Sequence, residues 1–158
     1  MIGAPIYYHG GYKYILSRDW REDLNLFKPF PRLLDRDIVT PYIELNRDGL
    51  LALRYRYAWD GCSGSTIDDP SNMRPGLVHD AGYQLLRDGH LPWAYRAYFD
   101  DLLELIGLAD GMLPLRAWYY RQAVSRFAAH SAAVGHDPYP EQYAPRPIPP
   151  WEPPCGDA

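Results

Sequence analysis

A dense run of prolines at the C-terminal end restricts the fold of this chain more than any other sequence feature. Eight prolines lie within residues 137–158. Proline lacks a backbone N–H and has a fixed φ, so this segment cannot form a helix or a central strand. We therefore predict one domain over residues 1–136, followed by an extended, polyproline-like, Pro-rich arm over residues 137–158.

The region up to about residue 64 has the pattern of short strands and turns. Apolar and aromatic residues are concentrated in three segments, which are Tyr12–Leu16, Pro41–Leu45 and Leu50–Trp59. Between the last two lies Asn46–Gly49, which ends in Asp-Gly and so favours the positive φ of a hairpin turn. In the third segment Leu51, Leu53, Tyr55 and Tyr57 alternate with Ala52, Arg54 and Arg56. This period of two is typical of a strand with one buried face.

Helical spacing of apolar residues and flanking prolines and glycines predict three helices in the next region. The first runs from Met73 to Arg87, with Ser71 or Asn72 as its cap and Pro75 in its first turn. The second runs from near Pro92 to Ile106, with Gly107 as a stop, and the third from near Pro114 to about Val134. The first two should be antiparallel, because few residues separate them. The predicted class is α+β: a small N-terminal antiparallel hairpin or sheet packed on a three-helix unit.

Length, charge and hydropathy restrict the function. A chain of 158 residues suits one core, and its net charge of −4 gives no basic field, so no nucleic-acid partner is expected. No apolar run is long enough to predict a transmembrane segment, and the N-terminus lacks the pattern of a signal peptide. The two cysteines form neither a metal-spaced set nor a disulfide framework, which favours a reducing cytoplasm.

The residues best suited to chemistry are His79, Asp80 and Tyr83 on the first predicted helix. His79 and Tyr83 are four apart and share a face, whereas Asp80 points about 100° away from His79. If the second helix is antiparallel, its Asp100 comes within reach of the imidazole. A carboxylate on one ring nitrogen fixes the tautomer and raises the basicity of the other nitrogen, which can then take a proton from water.

The turn that starts with Asp60 and Gly61 and extends to Gly64 is a candidate for cation binding. Glycines allow backbone carbonyl oxygens to point at a cation, and Asp80 would be free to bind the same ion. We expect either a calcium ion at Asp80, Asp60, Gly61 and Gly64 or no cofactor. A calcium ion there could polarise an ester carbonyl.

His-Asp-x-x-Tyr at residues 79–83, with Asp100 on an antiparallel helix, resembles the core of phospholipase A2, especially the short form in parvovirus capsid proteins. The resemblance covers about residues 59–106. It implies that His79 is the general base, that Asp80 binds calcium and that Asp100 orients the imidazole. Tyr83 matches the tyrosine of that family.

A second and broader resemblance covers about residues 50–135. Trp-Asp-Gly-x-Ser-Gly at 59–64, Thr-Ile-Asp at 66–68, residues 73–85 around His-Asp, and Arg96 with Asp100 resemble an uncharacterised family common in phages and prophages. This resemblance implies a bacteriophage or prophage origin. It implies no reaction, and it places the protein in the host cytoplasm or in the virion.

Two functional hypotheses follow. In the first, the protein is a phospholipase-A2-like, calcium-dependent hydrolase of membrane or envelope lipid esters. In the second, it is a non-enzymatic phage tail or virion protein, and His79 and Asp80 stabilise the fold. Asp100 could then simply pair with Arg96, four residues earlier on its helix. The arm, with its aromatic side chains, would bind other phage structural proteins or a second copy of the chain.

Overall fold

The computed structural model describes residues 13–61 and 69–136, and the backbone of two strands at 6–8 and 142–144. The protein belongs to the α+β class, as the sequence predicts. Its helices are α1 (Pro70–Arg87), α2 (Arg96–Ala109) and α3 (Pro114–Phe127). Its strands are β1 (Ile6–Tyr8), β2 (Tyr14–Ile15), β3 (Trp20–Asp23), β4 (Ile38–Val39), β5 (Ile43–Leu45), β6 (Leu50–Leu53), β7 (Ala58–Trp59) and β8 (Gln142–Ala144).

The chain divides into two units. One contains residues 12–136, and the other combines residues 1–11 with residues 137–158. In the second unit β1 and β8 pair antiparallel, with Tyr7 opposite Tyr143. The strand β8 contains no proline, in keeping with the restriction that proline places on strand pairing. Apart from β8, the predicted arm lies outside the described residues, and the division at residue 136 stays a prediction.

Four antiparallel strands in the order β3-β6-β5-β4 form the largest sheet. The predicted hairpin is confirmed: β5 and β6 pair with Leu45 opposite Leu51, and Gly49 in the turn has a φ of 90°. Leu45, Leu51 and Leu53 are fully buried in the core. The short and charged β3 and the two-residue β4 were not predicted, because neither has an apolar alternation long enough to recognise.

The single strand predicted over Leu50–Trp59 is wrong, because the chain turns between β6 and β7. Arg56 has a φ of 70°, and Tyr55 is exposed instead of sharing the buried face of Leu53. Leu16 donates its N–H to the carbonyl of Tyr57 and accepts from the N–H of Arg56. The chain therefore leaves the large sheet and pairs with β2, where Tyr14 lies opposite Trp59.

The boundaries of α1 and α2 differ from the predicted ones. Asp69, rather than Ser71 or Asn72, caps α1: its side chain accepts from the N–H of Ser71 at 2.8 Å, and the side chain of Asn72 accepts from the N–H of Asp69. This reciprocal pair is a capping box, and it moves the helix start to Pro70. Gly107 does not end α2, which continues to Ala109.

Helix α3 ends at Phe127, well before the predicted Val134. The guanidinium of Arg96 donates to the carbonyl oxygens of Val124 at 2.9 Å and Ser125 at 2.8 Å. Val124 still accepts the helical N–H of Ala128, whereas at Ser125 the side chain binds a carbonyl that the next helical turn would otherwise use. No helix in the described part of the chain is long and apolar enough to cross a membrane.

Close packing of α1 against α2 positions the candidate site. A Cβ atom added to Gly82 would lie 2.3 Å from the ring of Phe99, so only glycine permits this separation. The contacts of His79 with Asp100 and of Tyr83 with Arg96 run in opposite order along the two helices. The predicted antiparallel arrangement is therefore confirmed.

Candidate functional site

Helices α1 and α2 bring His79, Tyr83 and Asp100 together in the interior. The Oδ1 atom of Asp100 lies 3.4 Å from Nε2 of His79 and accepts a hydrogen bond from the Tyr83 hydroxyl at 2.7 Å. The rings of His79 and Tyr83 pack in a tilted arrangement, with centroids 4.0 Å apart and planes inclined by 33°. All three side chains are buried. The structure therefore joins the three residues that the sequence predicts as catalytic.

The second oxygen of Asp100 is also occupied. Its Oδ2 atom accepts from the hydroxyl of Ser125 on α3 at 3.0 Å, and the guanidinium of Arg96 lies 3.7 Å away. Asp100 thus connects all three helices and has partners on both oxygens. Sequence analysis did not identify Ser125, since no motif connects it to a carboxylate twenty-five residues earlier.

Arg96 supports the same group without forming a simple pair with Asp100. Its Nε donates to the Tyr83 hydroxyl at 3.2 Å, while its terminal nitrogen binds the end of α3. The guanidinium also lies over the ring of Trp93, 5.6 Å from the centroid. Arg96 therefore fixes Tyr83 and α3 around Asp100, which goes beyond the simple pair with Asp100 considered from the sequence.

The opposite edge of the imidazole faces Asp80. Nδ1 of His79 lies 3.7 Å from Oδ1 of Asp80, and Oδ2 of Asp80 accepts from the backbone N–H of Asp60 at 3.3 Å. About a quarter of the Asp80 side chain is exposed, whereas that of Asp100 is sealed. The end of β7 and the third turn of α1 thus meet at Asp80.

The two carboxylates change the protonation of the imidazole. Burial disfavours the charged ring, but Asp100 and Asp80 outweigh burial and raise the pKa of His79 above its ordinary value of 6.5. Burial alone would raise the pKa of Asp100, but hydrogen bonds from His79 and Tyr83 bring this pKa below its ordinary value. Burial, assisted by Asp100, raises the pKa of Tyr83, which keeps its hydroxyl a donor.

Asp80 also influences a further carboxylate, Asp60, at the partly exposed edge of the site. Burial and the charge of Asp80 raise the pKa of Asp60, although Lys13 opposes the shift. A carboxylate whose charge is disfavoured by a neighbouring carboxylate has the donor chemistry that a hard cation such as calcium prefers.

The remaining predicted calcium ligands are only partly described. Gly61 is buried and has a φ of 74°, a conformation that glycine adopts at little cost. Gly64 lies outside the described residues. Within residues 13–61 and 69–136, no group of three or more histidine, cysteine, aspartate or glutamate side chains could hold a metal ion. A cation at Asp60 and Asp80 would therefore need additional ligands, such as backbone oxygens.

No protein-family model, curated protein or solved structure matches this chain.

Proposed function

We propose that the protein is a calcium-dependent hydrolase of carboxylic esters, with a membrane or envelope lipid as substrate. The observation that carries this proposal is the position of Asp100, whose Oδ1 faces both the imidazole of His79 and the hydroxyl of Tyr83. An imidazole oriented by a buried carboxylate is the arrangement that general-base catalysis requires. The resemblance to phospholipase A2 assigns the same roles to the same residues.

In this mechanism His79 moves a proton between water and the leaving group. Asp100 accepts from Nε2–H, and the opposite nitrogen takes a proton from a water molecule as the water oxygen attacks the ester carbonyl. The proton then passes to the alcohol oxygen as the carbon–oxygen bond breaks, which yields a carboxylic acid and an alcohol. Tyr83 and Ser125 hold Asp100, and Arg96 holds Tyr83.

The cation in this proposal would be held by Asp80 and Asp60. The charge of Asp80, which helps to raise the pKa of Asp60, and the partial exposure of Asp80 are compatible with a divalent ion. When bound, calcium would supply positive charge to the oxygen that gains charge as the ester is attacked. Neutralising Asp80 would also weaken one of the two influences that raise the pKa of His79, and so favour the neutral base.

A second function, as a non-enzymatic phage structural protein, is favoured by the burial of the imidazole. The His79 side chain is 9% exposed, and each of its ring nitrogens faces a carboxylate. A protonated imidazole between Asp80 and Asp100 can hold α1, α2 and the end of β7 together without any substrate. The arm of residues 137–158 would then bind other virion proteins or a second copy.

One experiment separates these functions. Fatty-acid release from phosphatidylcholine vesicles is measured with calcium and with a chelator, for the wild type, His79→Ala and the matched control His90→Ala, whose histidine is exposed. The hydrolase predicts calcium-dependent release that His79→Ala loses and His90→Ala keeps, with unchanged circular dichroism. No release from folded wild-type protein contradicts it. Loss of self-association or virion binding on deleting residues 137–158 would then support the structural role.

A further inference from the structure

Two imidazole rings lie in contact at the end of the unit of residues 12–136. The centroids of the His130 and His136 rings are 4.3 Å apart, and their planes are inclined by 59°. His130 is exposed and His136 is half-buried, so solvent reaches the pair. In the part of the chain that the structure describes, neither ring is hydrogen-bonded or ion-paired to another residue. Their nitrogen atoms are therefore available to a ligand.

Two consecutive backbone turns bring these rings together. Ala133 donates its N–H to the carbonyl of His130 at 3.1 Å, and His136 donates its N–H to the carbonyl of Ala133 at 3.0 Å. Gly135, in the second turn, has a φ of 77°, which lies in the left-handed region that glycine adopts at little cost. The chain thus folds His136 back onto a histidine six positions earlier.

The rest of the unit holds this segment in place. Ala132 is fully buried in the main core cluster. Gly135 donates its N–H to the carbonyl of Arg87 at the end of α1, and the Arg87 guanidinium donates to the carbonyl of Ser131, both at 3.1 Å. The backbone that carries the two histidines is therefore fixed before a ligand binds, which lowers the entropic cost of bringing both rings to one ion.

The separation of the rings suits a shared metal ion. Zinc binds imidazole nitrogen at about 2.0–2.1 Å, which places the centroids of two rings on one ion roughly 4.5–5 Å apart. The observed 4.3 Å requires only a small rotation of one side chain. Neutral imidazole is a typical ligand of zinc, copper and nickel, whereas calcium prefers oxygen. The pair therefore has the chemistry and the spacing for a transition metal.

We propose that His130 and His136 together bind one divalent transition-metal ion, such as zinc. Among the described residues no third histidine, cysteine, aspartate or glutamate joins them. The remaining coordination positions therefore hold water or another exchangeable ligand, as in an open site. The ion would connect the two backbone turns at the end of the unit. This site uses different residues from the proposed calcium ligands Asp60 and Asp80, and it does not depend on the proposed function.

Nuclear magnetic resonance of the imidazole groups tests the site directly. The ¹⁵N-labelled chain contains five histidines, and His130→Gln and His136→Gln each identify one ring by the loss of its signals. Zinc chloride is titrated into the wild type without an affinity tag, and calcium chloride serves as the matched hard cation. We expect zinc to shift a nitrogen resonance of both rings together, with a Kd below about 0.1 mM, while calcium leaves both rings unmoved.

The two variants provide the second readout. Each should weaken zinc binding at the remaining ring by at least about tenfold, since removing even a supporting partner of a metal ligand costs that much. His90→Gln, which removes an exposed histidine outside the pair, is the matched control and should keep the wild-type affinity at both rings. If His136→Gln does not fold, the exposed His130→Gln carries the comparison.

Rings that zinc leaves unmoved, or that respond to zinc with different affinities, would overturn the shared site. Wild-type affinity in His130→Gln would overturn it as well, because one imidazole would then be sufficient. Shifts that calcium produces as readily as zinc would show a general effect of cations and refute the metal preference. None of these outcomes bears on ester hydrolysis, so the proposed function stands or falls separately.

Discussion

Asp100 and Asp80 flank the same imidazole, yet their surroundings differ. Asp100 is 2% exposed and accepts hydrogen bonds from Tyr83 and Ser125 in addition to facing His79. Asp80 is partly exposed and accepts one backbone N–H, from Asp60. A carboxylate offers about four lone-pair positions. Asp100 uses three of them and is sealed from solvent, whereas Asp80 retains more capacity and is within reach of a further partner. The difference separates an orienting carboxylate from one that is available to a ligand.

The largest expected effect comes from removing each carboxylate in turn. Asp100→Ala leaves the donors of His79 and Tyr83 on α1 and of Ser125 on α3 without their acceptor and should lower the free energy of unfolding by about 3–5 kcal/mol. Asp80→Ala should cost about 1 kcal/mol or less, because solvent reaches that carboxylate. Urea denaturation measures both values. Equal losses would contradict the distinction between the two sides of the imidazole.

A smaller effect is expected from Tyr83→Phe. The substitution keeps the ring against His79 but removes the hydroxyl that links Asp100 to Arg96. An unfilled acceptor in the interior costs about 1–3 kcal/mol, which urea denaturation detects. Tyr119→Phe, at an exposed position on α3, serves as the control and should change stability by less than about 0.5 kcal/mol. A Tyr83→Phe variant as stable as the control would show that Asp100 does not depend on this donor.

The smallest effect is a pH dependence that belongs to His79. Because its folded pKa lies above 6.5, its contribution to stability is complete below that pH and is lost as the pH rises through the folded pKa. Asp100 acts in the opposite direction: its folded pKa lies below 3.8, so its contribution holds above that pH and is lost on acidification. The free energy of unfolding, followed from pH 5 to 9, should decline for the wild type and for His90→Gln.

The same decline should be absent in His79→Gln, which cannot take up the proton. If His79→Gln declines as steeply as the wild type, another group titrates and the imidazole is not held in its charged form. Together with Asp100→Ala and Asp80→Ala, the pH dependence of the free energy of unfolding shows whether both carboxylates act on the imidazole of His79.

Local signals in the sequence predicted much of this fold. The Asp-Gly turn identified the hairpin because the turn needs a positive φ, and prolines and glycines bracketed three helices. The spacing of His79 and Tyr83, with Asp100 on a nearby antiparallel helix, was sufficient to predict that they meet. These features depend on neighbours within one or two turns or on a short connection, so a single sequence reveals them.

The remaining features depend on contacts between distant residues. After the break at Leu53 the chain pairs Tyr57 with Leu16, and at the early end of α3 Arg96 binds the last carbonyls. Neither contact leaves a periodic pattern in the sequence.

The sequence by itself determined the α+β class, the three helices and the meeting of His79, Tyr83 and Asp100. Side chains four apart share one face of a helix, and a short connection makes neighbouring helices antiparallel. Tertiary structure alone decided that Ser125 completes the partners of Asp100 and that Asp80 stays accessible. Burial and hydrogen-bond saturation are properties of the packed interior, where segments far apart in the chain compete for the same few acceptors.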